Sequence, residues 1–369
     1  MAAPLVIHVL PLDMPRGAQR YARAMRQALD GDGVEHRILT LFESPCREMQ
    51  ADIRLDRVRG RAARWGLDLG ALRALRSALL QHRPSCVVAH GSQPLKYLAL
   101  SAPRELPIVA YRLGIAHLAA HRPAQRAFHA LLYRRATRVA GVSHECLEEA
   151  HQLFFVPRQR LVLIPNGRDP ERFRPAPAPK TAVPKLLFVG HLSVSKRPEW
   201  FLDVVAELRE RGVRFQAELV GDGPLLSALT PRAQQLDVAV LGNRNDVPEL
   251  LRNADVLAFT SVPDGEGMPG VFIEAGMSGL PVVSTAVPGA RTVLDDGRTG
   301  YVVGVDDKAQ FVARVQQLLE NPHLVASMGR SARERCASEF CIERSVVLWR
   351  TLLQELAARA PLGAGSQHA

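Results

Sequence analysis

Two glutamates, Glu266 and Glu274, stand with seven residues between them in SVPDGEGMPGVFIEAGMSGLP, the stretch from Ser261 to Pro281. An apolar run from Asp255 to Phe259 leads into a loop rich in Pro and Gly. Helical spacing then begins at Pro269 and ends at Gly279, with Pro281 just beyond. Pro suits the first helical position because it needs no amide partner there, and Gly followed by Pro is a stop signal. The amides of Gly270, Val271 and Phe272 would then be unpaired donors at the positive end of a helix, which suits a phosphate. Gly265, Gly267 and Gly270 let a ligand approach the backbone closely. A carboxylate beside phosphates is repelled, so each glutamate reads better as an acceptor for hydroxyls on either side of them. The implied ligand has a diphosphate in the middle and a polyol at each end, as in a nucleotide sugar. The same residues also read as a surface loop followed by an amphipathic helix with two solvated glutamates.

The elements that must position these groups recur along the chain. Leu5 to Leu10 is a short apolar run that reads as a buried parallel strand, and MPRGAQRYARAM after it turns to helical spacing. Strand-like runs return at Val34 to Leu41, Cys86 to Ala89, Ile108 to Tyr111, Val139 to Val142 and Leu161 to Ile164. Helical segments such as Gly70 to Gln81 and Arg122 to Arg135 separate them. This alternation predicts a parallel sheet covered on both faces. The Pro-rich stretch from Pro175 to Pro184 reads as a semi-rigid linker. KLLFVGHLSVSKRPEWFLDVVAEL then opens a second series of strands and helices that includes the Glu266 loop. The predicted organisation is α/β, with a first domain over 1–172, a linker over 173–184 and a second domain over 185–340. A helix over 341–359 crosses back to the first domain, and 360–369 is a tail.

Further candidates lie near the predicted strand ends. Gly17 sits near the first helix start, and Arg16, Arg20 and Arg23 project from the first turns, either towards a phosphate or carboxylate or as a solvated face. His90 closes the strand VVAHG, where ligand-binding groups gather in open α/β folds; a capping or buried role is equally open. Ser143 is a natural helix N-cap. The basic segment Arg57 to Arg76 reads as a helix packed on the domain or lying on an anionic membrane.

EGMPGVFIEAGMSGLPVV is similar to the E-x7-E region of retaining glycosyltransferases of family 4. This resemblance implies the GT-B fold, two doubly wound Rossmann-like domains facing a cleft. It places Glu266 on the donor sugar and Glu274 on the nucleotide ribose. The common form is Glu-Gly-Phe-Gly, and here Pro269 replaces the second Gly, leaving Gly267, Met268, Pro269, Gly270 and Val271 as the donor-binding loop. Ile164 to Pro175, IPNGRDPERFRP, matches the family's Pro-Asn-Gly-x-Asp segment, and Gly221 to Pro224 its Gly-Asp-Gly-Pro turn. The resemblance also implies a diphosphate clamp at Lys196 and at the residue after Gly190. That residue is His191 where Arg is usual, so the clamp is weaker, pH-sensitive or completed by Arg197. The segment around Gly242 to Val247 borders the base, with backbone groups near Asn243 and Arg244 to read it, and Gly17 matches the glycine-rich loop after the first strand. An active-site His often ends the strand at Tyr111; Arg112 occupies that place, with His117 as a nearby substitute. The expected reaction moves a sugar from a UDP- or GDP-sugar to a hydroxyl, with retention and front-face attack. It uses Lys196, Glu266 and Arg112 as catalytic groups and neither a metal nor a cofactor.

At 369 residues, 47% hydrophobic and 23% charged, the chain has the size and composition of a soluble protein with two cores. The five cysteines, Cys46, Cys86, Cys146, Cys336 and Cys341, show no metal-ligand spacing and read as reduced thiols of a cytoplasmic protein. Neither a membrane span nor a secretion signal is expected. Residues 1–170 hold 25 Lys and Arg against 14 Asp and Glu, whereas the remainder holds 22 against 23. An anionic partner for the first half follows: a phosphorylated or lipid-linked glycan acceptor, or an anionic membrane met at Arg57, Arg59, Arg61 and Arg64. An idle Arg-rich surface is the alternative. Rival functions are an epimerase or phosphorylase on the same fold, or a basic nucleic-acid-binding protein. The glutamate pair lies in the neutral half and argues against nucleic acid as a partner.

Overall fold

The computed structural model of the protein describes residues 3–14, 17–31, 33–44, 50–57, 67–115, 122–176, 183–264 and 266–359. The chain divides into two compact units, Met1–Asn166 with Ile342–Ala369, and Gly167–Cys341.

In the first unit, seven strands form one sheet: β1 (Leu5–Leu10), β2 (Glu35–Phe42), β3 (Ile53–Arg57), β4 (Cys86–His90), β5 (Ile108–Arg112), β6 (Arg138–Gly141) and β7 (Leu161–Leu163). Their order is β3-β2-β1-β4-β5-β6-β7, and every pair is parallel. Alternate residues of the strands serve opposite faces. Ile7, Val9, Val87 and Ile108 join the core under α2 (Leu69–His82), α3 (Ser92–Ser101) and α4 (Pro123–Arg135). On the other face, α1 (Gly17–Leu29) and the C-terminal helix Ile342–Arg359 bring Tyr21 and Trp349 against Tyr111 of β5. The Trp349 indole donates to the Tyr21 hydroxyl at 3.1 Å, so this buried ring is fully satisfied. The remaining helix, α5 (His144–Phe154), starts at Ser143, whose hydroxyl accepts from the Cys146 amide.

The second unit repeats the plan with six parallel strands: β8 (Lys185–Val189), β9 (Gln216–Val220), β10 (Val238–Gly242), β11 (Val256–Phe259), β12 (Val282–Thr285) and β13 (Gly300–Val303). Their order is β10-β9-β8-β11-β12-β13. Its helices, in chain order, are α6 (Pro198–Glu210), α7 (Leu226–Gln235), α8 (Val247–Asn253), α9 (Gly270–Met277), α10 (Ala290–Val293), α11 (Lys308–Leu319) and α12 (Pro322–Glu339); the C-terminal helix Ile342–Arg359 is α13.

Three sequence expectations are corrected. The boundary falls at Asn166 and Gly167, before the expected end at 172, because residues 168–175 pack on the second unit. There Arg168 bridges to Cys341, Phe173 is buried, and the Arg333 guanidinium donates to the carbonyls of Pro170 and Phe173. The segment Arg57 to Arg76 is not one helix: Arg57 ends β3, α2 begins only at Leu69, capped by Asp68, and 58–66 lie outside the described residues. Alternation in IRLDR is masked by its charges, which hid β3. Finally, Pro269 is the N-cap of α9 and Gly270 its first residue.

Candidate active site

Both sheets reverse their winding between two neighbouring strands, and ligands of such folds bind beyond the carboxyl ends of those strands. In the second unit the reversal lies between β8 and β11, which pair directly. The loops leaving these two strands carry Lys196 and Glu266. Residues far apart in sequence are therefore delivered to one place by topology alone.

Lys196 ends a short 3-10 turn, Val194–Lys196, and its ammonium donates to the Glu266 carboxylate. The ammonium also lies 5.0 Å from the centre of the Phe259 ring, whose face favours a cation. Two further bonds fix the loops to each other. The Thr260 hydroxyl donates to the carbonyls of Lys196 and Arg197 at 2.9 and 3.0 Å, and the Val262 amide donates to the Ser195 carbonyl at 2.9 Å.

Glu274 lies in the second turn of α9 and accepts from Arg168 Nε at 2.6 Å. Each side chain of this pair is 20% exposed, so it is neither bulk-solvated nor sealed. A methyl group on Gly270 would collide with the Arg168 guanidinium, which therefore lies over the first turn of the helix. The amides of Gly270 and Val271 have no acceptor among the described residues, whereas that of Phe272 donates to the Pro269 carbonyl at 3.1 Å. The unfavourable position of a cation at the positive end of a helix is offset here by the Glu274 carboxylate that it pairs with. The other end of α9 is tied down by Arg333, which donates to the Met277 carbonyl at 2.8 Å. Gly289 has a φ of +77°, and a Cβ there would meet the Gly267 carbonyl oxygen and Met268 Cα. The loop before α9 is thus seated on bare backbone. In the same way, a Cβ on Gly221 would strike the Gly190 carbonyl, which explains the glycine of the Gly-Asp-Gly-Pro turn.

The structure brings Lys196, Glu266, Gly270, Val271 and Glu274 into this group and adds Arg168, which the sequence reading passed over. The only signal for Arg168 was its position in the Pro-Asn-Gly-x-Asp segment. Its partner lies 106 residues away. Gly267, Met268 and Pro269 are buried and shape the loop through packing. His191 and Asn243 are exposed beyond β8 and β10. Arg197 departs from the expected role: it donates to the Val305 carbonyl at 3.0 Å, pairs with Asp306 at 3.2 Å and covers the Trp200 ring. The Arg244 side chain forms an exposed two-point pair with Asp246, whose hydrogen bonds raise the pKa of the arginine and lower that of the aspartate; the expectation for the base concerns the backbone here, which this pair leaves open.

In the first unit Arg112 is corrected from a catalytic to an internal role. It is 6% exposed and donates to the Cys146 carbonyl at 2.9 Å, to the Tyr133 hydroxyl and to Glu149. Burial opposes its charge, but Tyr133 and Glu149 more than offset that and raise its pKa. With three of its five N–H donors spent inside the unit and the side chain 6% exposed, it is a structural rather than a sugar-binding group. Gly17 opens α1 and Arg20 is exposed on it, while Arg16 and His117 lie outside the described residues. His90 is buried, bonded to His8 at 3.0 Å and edge-on to Tyr111, and is therefore a core histidine.

Burial pushes the His90 pKa down to about 3, and burial with the charges of His90, His36 and Arg26 holds His8 well below its ordinary value. The unfolded chain therefore binds more protons than the native one below about pH 6.5. Native stability should be complete above that pH and fall as pH drops towards 3, by at most about 1.4 kcal/mol per pH unit for each histidine. Urea midpoints measured from pH 7.5 to 4.5 check this, and His90→Gln should flatten the slope; an unchanged slope excludes His90 as a contributor.

Two family models match the chain: Glycosyltransferase Family 4 over residues 15–172 and Glycosyl transferases group 1 over residues 183–321. Both matches are to glycosyltransferases, of the group 1 and family 4 type, and together they span most of the chain. It is 29% identical over 310 residues to the putative glycosyltransferase EpsF of Bacillus subtilis (strain 168), covering 75% of this chain and 78% of that protein. It is also 26% identical over 227 residues to the Escherichia coli UDP-Gal:alpha-D-GlcNAc-diphosphoundecaprenol alpha-1,3-galactosyltransferase, covering 57% of this chain and 58% of the relative. Among solved structures, Anabaena Alr3699/HepE in complex with UDP superposes with a TM-score of 0.79 at 17% identity, over 96% of this chain and 100% of the other. The fold is GT-B, two Rossmann-like units in one chain.

Proposed function

We propose that this glycosyltransferase is a retaining, metal-independent enzyme that transfers a sugar from a UDP- or GDP-sugar to a hydroxyl of a lipid-linked or otherwise anionic acceptor. The observation that carries this reading is that both motif glutamates are held in ion pairs at the carboxyl edge of the second sheet, beside the first amides of α9. A nucleoside diphosphate replaces internal pairing with external pairing: its diphosphate takes Lys196 and the amides of Gly270 and Val271, and its ribose hydroxyls take Glu274. Glu266, released from Lys196, accepts from the donor sugar hydroxyls. As the bond from anomeric carbon to diphosphate oxygen breaks, charge grows on the leaving group, and Lys196 with the amides stabilises it in place. The acceptor hydroxyl attacks on the face the diphosphate is leaving, and its proton passes to the departing phosphate oxygen. The support for an anionic acceptor is the positive excess of residues 1–170. The E. coli relative, whose name specifies a diphosphoundecaprenol substrate, agrees with a lipid-borne one.

The purified chain should hydrolyse one nucleotide sugar slowly without acceptor, at a rate unchanged by chelator. A panel of UDP- and GDP-sugars assayed for nucleoside diphosphate release identifies it. If no member of the panel is bound or cleaved, the reading fails; conversion of a nucleotide sugar to its epimer would favour an epimerase instead.

A further inference from the structure

The outer surface of α4 is unusual for a helix on a globular domain. Its inner side supplies Leu132 and Tyr133 to the core, but its outward stripe, Ala124, Ala127, Phe128 and Leu131, is exposed. Leu131 is 58% exposed. Beside it, Phe155 closes α5 with a left-handed φ of +55°, costly for an aromatic residue, and is 67% exposed. The Arg126 guanidinium lies 4.8 Å from the centre of that ring, which fixes Phe155 against α4. Ala130, Arg134, Phe155 and Arg160 line a pocket of about 130 Å3 between the two helices.

An exposed apolar patch of this kind marks an interaction surface, and its charge says what kind. The helix Pro123–Arg135 carries Arg126, Arg134 and Arg135 and no Asp or Glu. Residues 122–160, which contain both helices, hold seven arginines against three glutamates, all three of them on α5. Aromatic and aliphatic side chains flanked by arginines suit the boundary between headgroups and acyl chains of an anionic bilayer, where rings insert and guanidinium groups meet phosphates. The geometry points to the α4–α5 face as the surface by which this chain docks on an anionic membrane, with Phe128, Leu131 and Phe155 inserting. Arg134, exposed at the rim of the pocket, is the cation that meets a lipid phosphate, whereas the Arg160 guanidinium donates to the Tyr133 carbonyl at 2.8 Å. This docking rests on the lipid-borne acceptor proposed above and gives it a place in the fold.

The test is flotation of the full chain with vesicles of phosphatidylcholine containing about 30% phosphatidylglycerol, at salt from about 0.05 to 0.5 M. The wild type should float at low salt, be released at high salt and ignore pure phosphatidylcholine. The triple variant Phe128→Ser, Leu131→Ser, Phe155→Asn should bind at least about tenfold more weakly, because the inserted apolar area is gone. Asn is at home in the left-handed cap, and Leu131 and Phe155 are mostly exposed while Phe128 is 36% exposed, so a cooperative melting transition somewhat below that of the wild type is expected. Nucleoside diphosphate binding, measured by calorimetry on the same variant, should be unchanged, so failure here leaves the transferase reading separately tested. Wild-type-like flotation of the triple variant overturns the proposal, as does absence of flotation at every salt. Retention on duplex DNA without flotation overturns it too and assigns the basic face to nucleic acid. Loss of all binding on neutralising Arg57, Arg59, Arg61 and Arg64, with the triple variant unaffected, moves the surface to that segment.

Discussion

Lys196→Ala should lower turnover by about a hundredfold or more, the scale of losing one group that stabilises developing charge. The lysine belongs to the β8 loop and Glu266 to the β11 loop, and the bonds from Thr260 and Val262 hold these loops together whether or not the ammonium is present. The substitution should therefore remove charge without dismantling the site. Arg197, the nearest cation in sequence, is occupied by Val305 and Asp306 and is no ready substitute. The effect should fall on turnover more than on ground-state affinity for the nucleotide sugar, since the leaving diphosphate gains charge only in the transition state. Lys196→Arg should recover part of the rate, because the charge returns in a different shape. Steady-state kinetics with the hydrolysed donor decide it: a rate within a few-fold of wild type places the diphosphate clamp elsewhere.

The sequence reading was strongest where local chemistry and topology coincide. The run Asp255 to Phe259, the loop and the glutamate spacing led to the right strand, loop and helix, because Pro and Gly bound the helix at both ends and apolar runs mark buried parallel strands. It was weakest for arginines. Arg112 and Arg197 each stand where a ligand contact was expected, and each spends its guanidinium on a carboxylate or carbonyl of the chain itself. Arg168 was passed over because its partner is on a helix brought close only by folding. A one-dimensional pattern shows that an arginine is present, but its donors are assigned by tertiary neighbours, and in a chain this rich in arginine most find a protein acceptor. His90 illustrates the same limit. The end of a strand near a winding reversal is the right place for a ligand, yet His8 and Tyr111 had already filled its surroundings.

The pairing of Arg168 with Glu274 makes the nucleotide affinity of three variants informative. Glu274→Ala should weaken nucleoside diphosphate binding by about 1–3 kcal/mol, the cost of leaving ribose hydroxyls without their acceptor. The same change releases the Arg168 guanidinium above Gly270, where it meets the diphosphate and offsets part of the loss. Arg168→Ala alone should shift affinity by less than about tenfold, since the lost phosphate contact is balanced by a carboxylate that no longer has to leave an ion pair. Removing both takes away the acceptor and the compensating cation together, so the double variant should bind more weakly than the sum of the single changes, with a coupling of about 0.5–3 kcal/mol. Titration calorimetry of all four proteins with UDP and GDP measures this directly. If the double variant binds as tightly as wild type, Glu274 and Arg168 are a structural ion pair and the ribose is held elsewhere. If the effects simply add, Arg168 holds the helix in place without reaching the diphosphate.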